Sequence, residues 1–347
     1  MREYIISGND EGQRLDKYLA RVLKEADKGF LYRMLRKKNI TLNGRKAEGP
    51  ERLQQGDKVA FFLSEETFLK FAGGEAAPRE MPGDASLVKP VYEDSHVLAV
   101  DKPAGMLAQK AEEGDVSLCE HIRAYLALPG KEAPAPGFTA GVANRLDRNT
   151  SGLVLAGKTL PGQQLLAYLL KQRLVEKYYY CIVKCQKGPA RAFRSRLYWQ
   201  KDEAANTARI LRTAEAGALP IELEVRPAAA LAEDFALLKV CLITGKTHQI
   251  RAQLAYLGYP VLGDAKYGDP ELNRSFMKQH AYSLRHQLLH AAEVEFPRVN
   301  EETKAASGLS EAALEEWRSL EGKTLSAPMT ANLRACLRLL GGETDGV

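Results

Sequence analysis

The sequence predicts an α+β protein made of two unequal units, and three observations carry that prediction. Strand-like segments rich in β-branched and aromatic residues, among them Val97–Val100, Lys177–Lys184 and Phe235–Leu242, are interleaved with few helix-periodic stretches instead of alternating with them one for one. Positive charge is concentrated near the start: Arg14 to Lys58 carries 13 Lys and Arg against 6 Asp and Glu, a surplus of +7 in a chain of net charge +5. Between that segment and the strand-rich body, Ser64 to Leu87 holds Gly73, Gly74, Pro78, Pro82 and Gly83 among scattered charges, the composition of a linker. The chain therefore divides into residues 1–63, a linker over 64–87 and a large unit over 88–347.

In the small unit, Leu15, Tyr18, Leu19 and Val22 recur at helical spacing with charges on the other face. FLYRMLRKKNITLNGRK, from Phe30, predicts a second, basic helix ending near Asn39 and then a short strand, with Asn43-Gly44 as a hairpin-type turn. LQQGDKVAFFL supplies another turn and strand. The pieces RLDKYLA, NITLNGRKA and QQGDKVAF resemble the small RNA-binding domain shared with ribosomal protein S-four. That resemblance makes Arg33, Arg36, Lys37 and Lys38 candidate RNA contacts, and a basic module on a near-neutral body suits a polyanion.

In the large unit, Val97–Val100 reads as a strand ending in a Lys102-Pro103-Ala104-Gly105 turn, and Leu128–Gly137 as a surface loop. A helix is expected over Gln163–Gln172, a strand over Lys177–Lys184, and strand, turn and helix from Phe235 to Gly258. Residues 300–325 are acidic and helix-like, with no role assignable from sequence. No run of about eighteen apolar residues predicts a membrane span, and the opening MREYIISGNDEGQ lacks the basic-then-apolar pattern of a secretory signal. Five cysteines without a CxxC pair read as reduced thiols of a cytoplasmic protein, and six histidines without an HxxxH pair give no metal site.

The chemistry concentrates in NRLDRNTSGLVLAGK, where Asp147 lies between Arg145 and Arg148 and a Thr150-Ser151-Gly152 turn precedes an apolar run. Neighbouring arginines can keep a carboxylate ionised and aim it. Gly245-Lys246-Thr247 is no phosphate-cradling loop, because Val240 stands where the motif needs its first glycine. Asp147 has no evident acidic partner for glycoside hydrolysis, and Ser151 lies in no GxSxG elbow.

Three separated motifs resemble the RluA-type pseudouridine synthases, in that family's order: ANRLDRNTSGLVLAGK, VEKYYYCIV and TGKTHQIRAQLAYLGYPVLGDAKYG, with VYEDSHVLAVDKPAGM and LLHAAEVEFP in support. The resemblance spans roughly Lys89 to Pro297. It implies a catalytic domain built on a central mixed, mainly antiparallel sheet, and an enzyme that breaks the uracil N1–ribose C1′ bond and rejoins the base through C5 without cofactor or metal. Asp147 would be the carboxylate that acts at the sugar, by attack on C1′ or by removing a proton from C2′. Arg251 would be its cationic partner, and Arg145 would fill the space of the extruded nucleotide. Tyr179 would stack on the base, with Tyr178 as the alternative, since neighbours on a strand face opposite ways. His248 is expected to make a structural hydrogen bond, Thr150-Ser151-Gly152 to shape the loop, and Gly263 and Gly268 to turn the backbone.

This chain departs from the family pattern at Asn144, where histidine is usual, at Lys246, where arginine is common, and at Gln253, in the place of a second histidine. The expected partner is RNA, with large-subunit ribosomal RNA ahead of transfer RNA, and the expected state a cytoplasmic monomer without membrane contact. The rival functions are an RNA-binding or assembly factor with little or no catalysis and a uracil-releasing glycosidase. An Arg251→Lys change is expected to cost turnover far more than folding.

Overall fold

A computed structural model of the protein describes residues 1–6, 10–72, 83–131, 138–203, 205 and 207–343. The small unit contains β1 (Arg2–Ile5), α1 (Leu15–Val22), α2 (Lys28–Arg36), β2 (Ile40–Leu42), β3 (Arg45–Lys46), β4 (Lys58–Phe61) and α3 (Glu65–Ala72). Its strands form an antiparallel sheet in the order β1-β4-β2-β3. Helix α1 buries the four apolar residues whose spacing predicts it, Leu15, Tyr18, Leu19 and Val22. Helix α2 starts where the Asp27 carboxylate accepts from the Phe30 N–H, and it stops earlier than expected. Lys37 caps it, Lys38 has φ of 60°, and the chain turns directly into β2. Asn43 and Gly44 both take positive φ, the backbone that a two-residue hairpin between β2 and β3 demands.

The expected linker differs from sequence expectation at its start. Its first turns form α3, whose Phe68 is buried against the rings of Phe61 and Tyr4. Aromatic residues four and seven after Ser64 gave that short stretch an apolar face to bury, which outweighed its polar remainder. Residues 73–82 of the linker and 132–137 of the expected loop lie outside the described residues.

The large unit follows with β5 (Pro90–Glu93), β6 (Val97–Lys102), α4 (Leu118–Leu126), β7 (Gly141–Val142), β8 (Ser151–Gly157) and α5 (Leu160–Gln172). Then come β9 (Glu176–Lys184), β10 (Phe193–Asp202), β11 (Thr207–Leu211), β12 (Leu219–Ala230), β13 (Phe235–Leu242), α6 (Gln249–Leu257) and α7 (Pro270–His280). The chain ends in β14 (Leu289–Glu295), α8 (Glu301–Ala305), α9 (Glu311–Leu320), β15 (Thr324–Ser326) and α10 (Ala331–Leu339). One sheet runs β11-β10-β12-β13-β9-β14-β8-β6-β5, with β15 added to β14 and β7 to β8. Among these strands only β8 and β14 pair in parallel, so the sheet is mixed and mainly antiparallel. The fold is α+β, as the sequence predicts.

Both faces of the central strands are covered, which is why Leu153 to Ala156 reads as one unbroken apolar run. Val154 and Ala156 join Leu98, Val100 and residues of α4 and α6 on one face. Leu153 and Leu155 join Val97, Ala99 and residues of α5 and α9 on the other. The segment without a role in sequence is thereby explained: α9 inserts Trp317 and Leu320 into the second core, and β15 lengthens the sheet. No helix among the described residues is long and apolar enough to cross a membrane.

Candidate active site

Asp147 sits in the loop between β7 and β8, and the residues around it explain how that loop keeps its shape. The Thr150 N–H donates to the Asp147 carbonyl (3.0 Å), closing a turn. Gln287 Nε2 donates to the Thr150 hydroxyl (3.2 Å), while the Ser151 hydroxyl meets His290 Nδ1 (2.9 Å). His290 Nε2 faces the Ala327 carbonyl (3.3 Å), so Nε2 carries the proton and Nδ1 accepts from Ser151. Gly152 has φ of 110°, and a Cβ there would stand 2.1 Å from the Ala291 carbonyl oxygen across the parallel pair β8–β14. Thr, Ser and Gly thus shape the loop, as expected, and none of the three is poised to react.

Two further groups hold the loop from outside. Lys102 is fully buried, and its ammonium donates to three carbonyls, Met106 (2.8 Å), Pro103 (2.9 Å) and Arg148 (3.1 Å). Burial pushes that ammonium down to about 8, against the opposing pull of Asp147 and Asp101. Asn144 accepts the Leu155 N–H (2.7 Å) and donates to the Leu153 carbonyl (3.4 Å), a pair of bonds that one amide supplies without titrating. Arg148, exposed, donates to the Gly105 carbonyl (3.1 Å) and so is tied to the same turn.

The opposite wall comes from α6. Its helical cap residue, His248, has φ of 57°, and its Nδ1 lies 3.0 Å from the Tyr267 hydroxyl, the structural bond expected of it. Burial holds the imidazole below its ordinary range, so it is neutral and accepts that bond. Gln253 is buried and donates to Ser195 Oγ (3.0 Å), which ties α6 to β10. Arg251 projects from the first turn, buried, and divides its guanidinium between two acids. Nη1 donates to Asp147 Oδ2 at 2.9 Å; Nε and Nη2 grip Asp264 at 2.6 and 2.9 Å.

Asp264 is also buried, and it accepts the N–H groups of Lys266 (2.8 Å) and Tyr267 (3.0 Å). Burial alone would raise its carboxyl, but the arginine and those N–H groups hold it below the usual range. Burial likewise works against the Arg251 cation, and Asp264 first, then Asp147, more than offset that. The Tyr267 ring completes the clamp, with the guanidinium 5.2 Å from its centre. One oxygen of Asp147 is therefore held, while Oδ1 has no hydrogen-bond partner among the described residues.

Asp147, Arg251, Tyr179 and Arg145 line one cleft of about 710 Å³. Arg145 is exposed there. Tyr179 is almost wholly buried, and burial followed by the charge of Asp147 pushes its phenol far above the ordinary range, so it stays protonated. Tyr178 is not brought to this cleft. Strand alternation turns it to a second cavity of about 560 Å³ on the other face of β9, where its hydroxyl meets Glu176 and Lys239 lies 4.6 Å from its ring centre.

Arg33, Arg36, Lys37 and Lys38 are exposed on the small unit and line neither cavity, the two lysines beyond the end of α2. Asp264 and Lys102 went unread in the sequence. Asp264 lies in GDAKYG, where only the glycines drew notice, and a carboxylate followed by the two N–H groups it accepts is the local signal.

Known proteins resemble this chain in sequence and in fold. The family model described as RNA pseudouridylate synthase matches residues 96–256, which hold Asp147, Tyr179 and Arg251. Ribosomal large subunit pseudouridine synthase C of Escherichia coli (strain K12) is 28% identical over 338 residues, 96% of this chain and 95% of that relative. An uncharacterised RNA pseudouridine synthase of Mycoplasma pneumoniae is 27% identical, covering 86% of this chain and 90% of its own length. The solved human RNA pseudouridylate synthase domain containing 4 is similar in fold, with a TM-score of 0.53 at 18% identity over 73% of this chain and 93% of that one. The chain is thus similar to RNA pseudouridylate synthases across the segment that holds its catalytic motifs and along nearly its whole length, which supports an RNA-modifying isomerase.

Proposed function

We propose that this enzyme converts specific uridines of large-subunit ribosomal RNA to pseudouridine, as a cytoplasmic monomer, with Asp147 as the group that acts at the sugar. The carrying observation is the unequal engagement of its two oxygens: Oδ2 is fixed by Arg251, and Oδ1 has no hydrogen-bond partner among the described residues of the cleft. A carboxylate held by one oxygen keeps its other lone pairs aimed without rearrangement as the reaction proceeds. Oδ1 either bonds to ribose C1′ or takes a proton from C2′ as the N1–C1′ bond breaks. The base then turns and bonds C1′ through C5, and the C5 proton departs. Such a nucleotide must first leave its stack, and exposed Arg145 at the cleft supplies a side chain to fill the gap. Tyr179, kept protonated, serves as a neutral surface and hydrogen-bond donor to the base rather than as a proton acceptor.

The ribosomal assignment rests on the Escherichia coli relative, whose name gives that substrate and whose similarity runs nearly the whole length of both chains. The small unit fits the S-four-like RNA-binding role. Arg33, Arg36, Lys37 and Lys38 are exposed and enter no ion pair among the described residues, which leaves their charge for phosphate.

The test is tritium release from large-subunit ribosomal RNA and transfer RNA labelled at uracil C5, with wild type and Asp147→Asn side by side. Release from ribosomal RNA by wild type, with a drop of at least about 10³-fold in the variant, is expected of a group that acts in the chemical step. Equal release by both proteins would remove Asp147 from the reaction, and release from transfer RNA alone would move the substrate.

A further inference from the structure

The cleft contains a cation that the reaction as described does not use. Lys177 lies two residues before Tyr179 on β9, so both side chains leave the same face of the strand, and both line the cleft of Asp147. Its ammonium makes no hydrogen bond and no ion pair among the described residues. The charge of Arg173 repels it, and the backbone at Gly245 comes close to Nζ, where an added Cβ would meet it at 3.9 Å. Burial lowers this ammonium, Cys241 partly opposes that, and Arg173 adds to it. A half-buried cation without a counter-charge opposes folding unless something else uses it.

The chemistry names a use. When N1–C1′ breaks, both bonding electrons stay on the base, whichever way Asp147 acts. The detached uracil is then an anion, with charge spread over N1 and the O2 and O4 carbonyls. It has to turn in place before C5 bonds to C1′. Asp147 and Arg251 are already paired to each other, and Tyr179 contributes no charge. Lys177, Tyr179 and Asp147 line the one cleft, and the charge of Asp147 acts on the Tyr179 phenol. A base resting on Tyr179 with its sugar at Asp147 occupies the cleft that the Lys177 side chain also lines.

We propose that Lys177 is a catalytic residue that stabilises the detached uracil anion through its carbonyl oxygens, holding the base in the cleft while it turns. This rests on the pseudouridine synthase reading above and adds to it the destination of the charge that leaves with the base. A positioned cation facing charge that develops only during reaction lowers the barrier without tightening binding of the intact RNA. The balance is complete without any co-reactant. The electron pair that leaves with N1 returns as the C5–C1′ bond, Asp147 is regenerated, C5 loses one proton and N1 gains one.

The test compares wild type, Lys177→Met and Lys177→Arg as full-length proteins. The substrates are large-subunit ribosomal RNA transcribed with uridine or with 5-fluorouridine, under single-turnover conditions. Loss of the N-linked nucleoside is followed by digestion and chromatography, and RNA affinity is measured across salt concentrations. Fluorine makes the uracil anion more stable, so a missing cation should matter less. For Lys177→Met, a rate about 10²-fold lower is expected on uridine RNA, the scale of losing one such electrostatic group. A loss about tenfold smaller is expected on 5-fluorouridine RNA, with affinity and salt dependence unchanged. Lys177→Arg should recover most of the rate. Thermal melting of Lys177→Met should be no lower than wild type, because an unpaired ammonium has been removed.

A fall in affinity with a salt slope shallower by about one would overturn the proposal in favour of a phosphate contact. An equal loss on both RNAs would make Lys177 a packing residue, and an unchanged rate would remove it from the site. Wild type inactive on uridine RNA would instead fell the pseudouridine synthase reading, so the two failures are distinguishable.

Discussion

Asp147 and Arg251 lie 104 residues apart in sequence, and Arg251 is gripped as well by a third residue, Asp264, which does not line the cleft. Because Arg251 satisfies two carboxylates with three nitrogen atoms, Arg251→Lys should carry a folding cost beside the larger cost to turnover expected of it. A lysine offers a point charge in place of a fork and leaves buried Asp264 short of partners. Breaking a buried pair of this kind costs on the order of 3 kcal/mol, so Arg251→Lys should lower the melting temperature as well as turnover. Urea denaturation of the two proteins checks this: coincident curves would show that Asp264 is satisfied without the fork. Asn144 illustrates the converse. Its amide staples the loop to β8, which is why a residue that cannot take up a proton stands acceptably where the family has histidine.

Elements dock through contacts that the motifs do not reveal. Helix α9 packs Trp317 into the core, but its Glu316 is buried beside Asp94, which follows β5, and one Glu316 oxygen has no partner. Burial, then the neighbouring Asp94, raises the Glu316 carboxyl well above its ordinary 4.5, so it is protonated and shares its proton with Asp94. Lys323 acts weakly in the other direction, and Tyr92 donates to Asp94 as well. The folded state therefore binds more protons than the unfolded chain once pH exceeds about 4.5, and stability falls as pH rises from there through the raised folded value. Glu316→Gln keeps the hydrogen bond and removes the titration. Its melting temperature should decline less than that of wild type between pH 5 and about 8. Parallel declines in the two proteins would place the pH sensitivity elsewhere.

At the scale of the whole molecule, the proposed function divides recognition from chemistry between the basic unit and the cleft. Exposed cations at Arg33, Arg36, Lys37 and Lys38 would bind RNA by phosphate, while the cleft holds Asp147 among cationic side chains. Because α3 belongs to the small unit through Phe68, a deletion should end at residue 72; ending it at 63 would remove Tyr4 and Phe61 and leave α3 without the core it packs on. Removal of residues 1–72 should weaken RNA affinity and reduce the slope of log affinity against log salt by about 0.7–0.9 for every phosphate that the basic unit neutralises. An unchanged slope would assign RNA binding to the large unit alone.

Local patterns determined much of this protein. Leu15, Tyr18, Leu19 and Val22 show α1 in their spacing, Asn43-Gly44 shows the hairpin, and the run from Leu153 to Ala156 shows a strand covered on both faces. Asp147 and its loop were legible because Thr150, Ser151 and Gly152 are neighbours in sequence and a close turn needs such residues side by side. Tertiary structure alone decided the rest. Asp264 grips Arg251, Lys102 reaches the Arg148 carbonyl 46 residues on, and Glu316 meets Asp94 across more than two hundred residues. Each is a polar group whose partner is supplied by a distant segment, and a buried charge is stable only where the fold delivers that partner. Hydrophobic periodicity reports which face is buried; it does not report which charge waits on the other side.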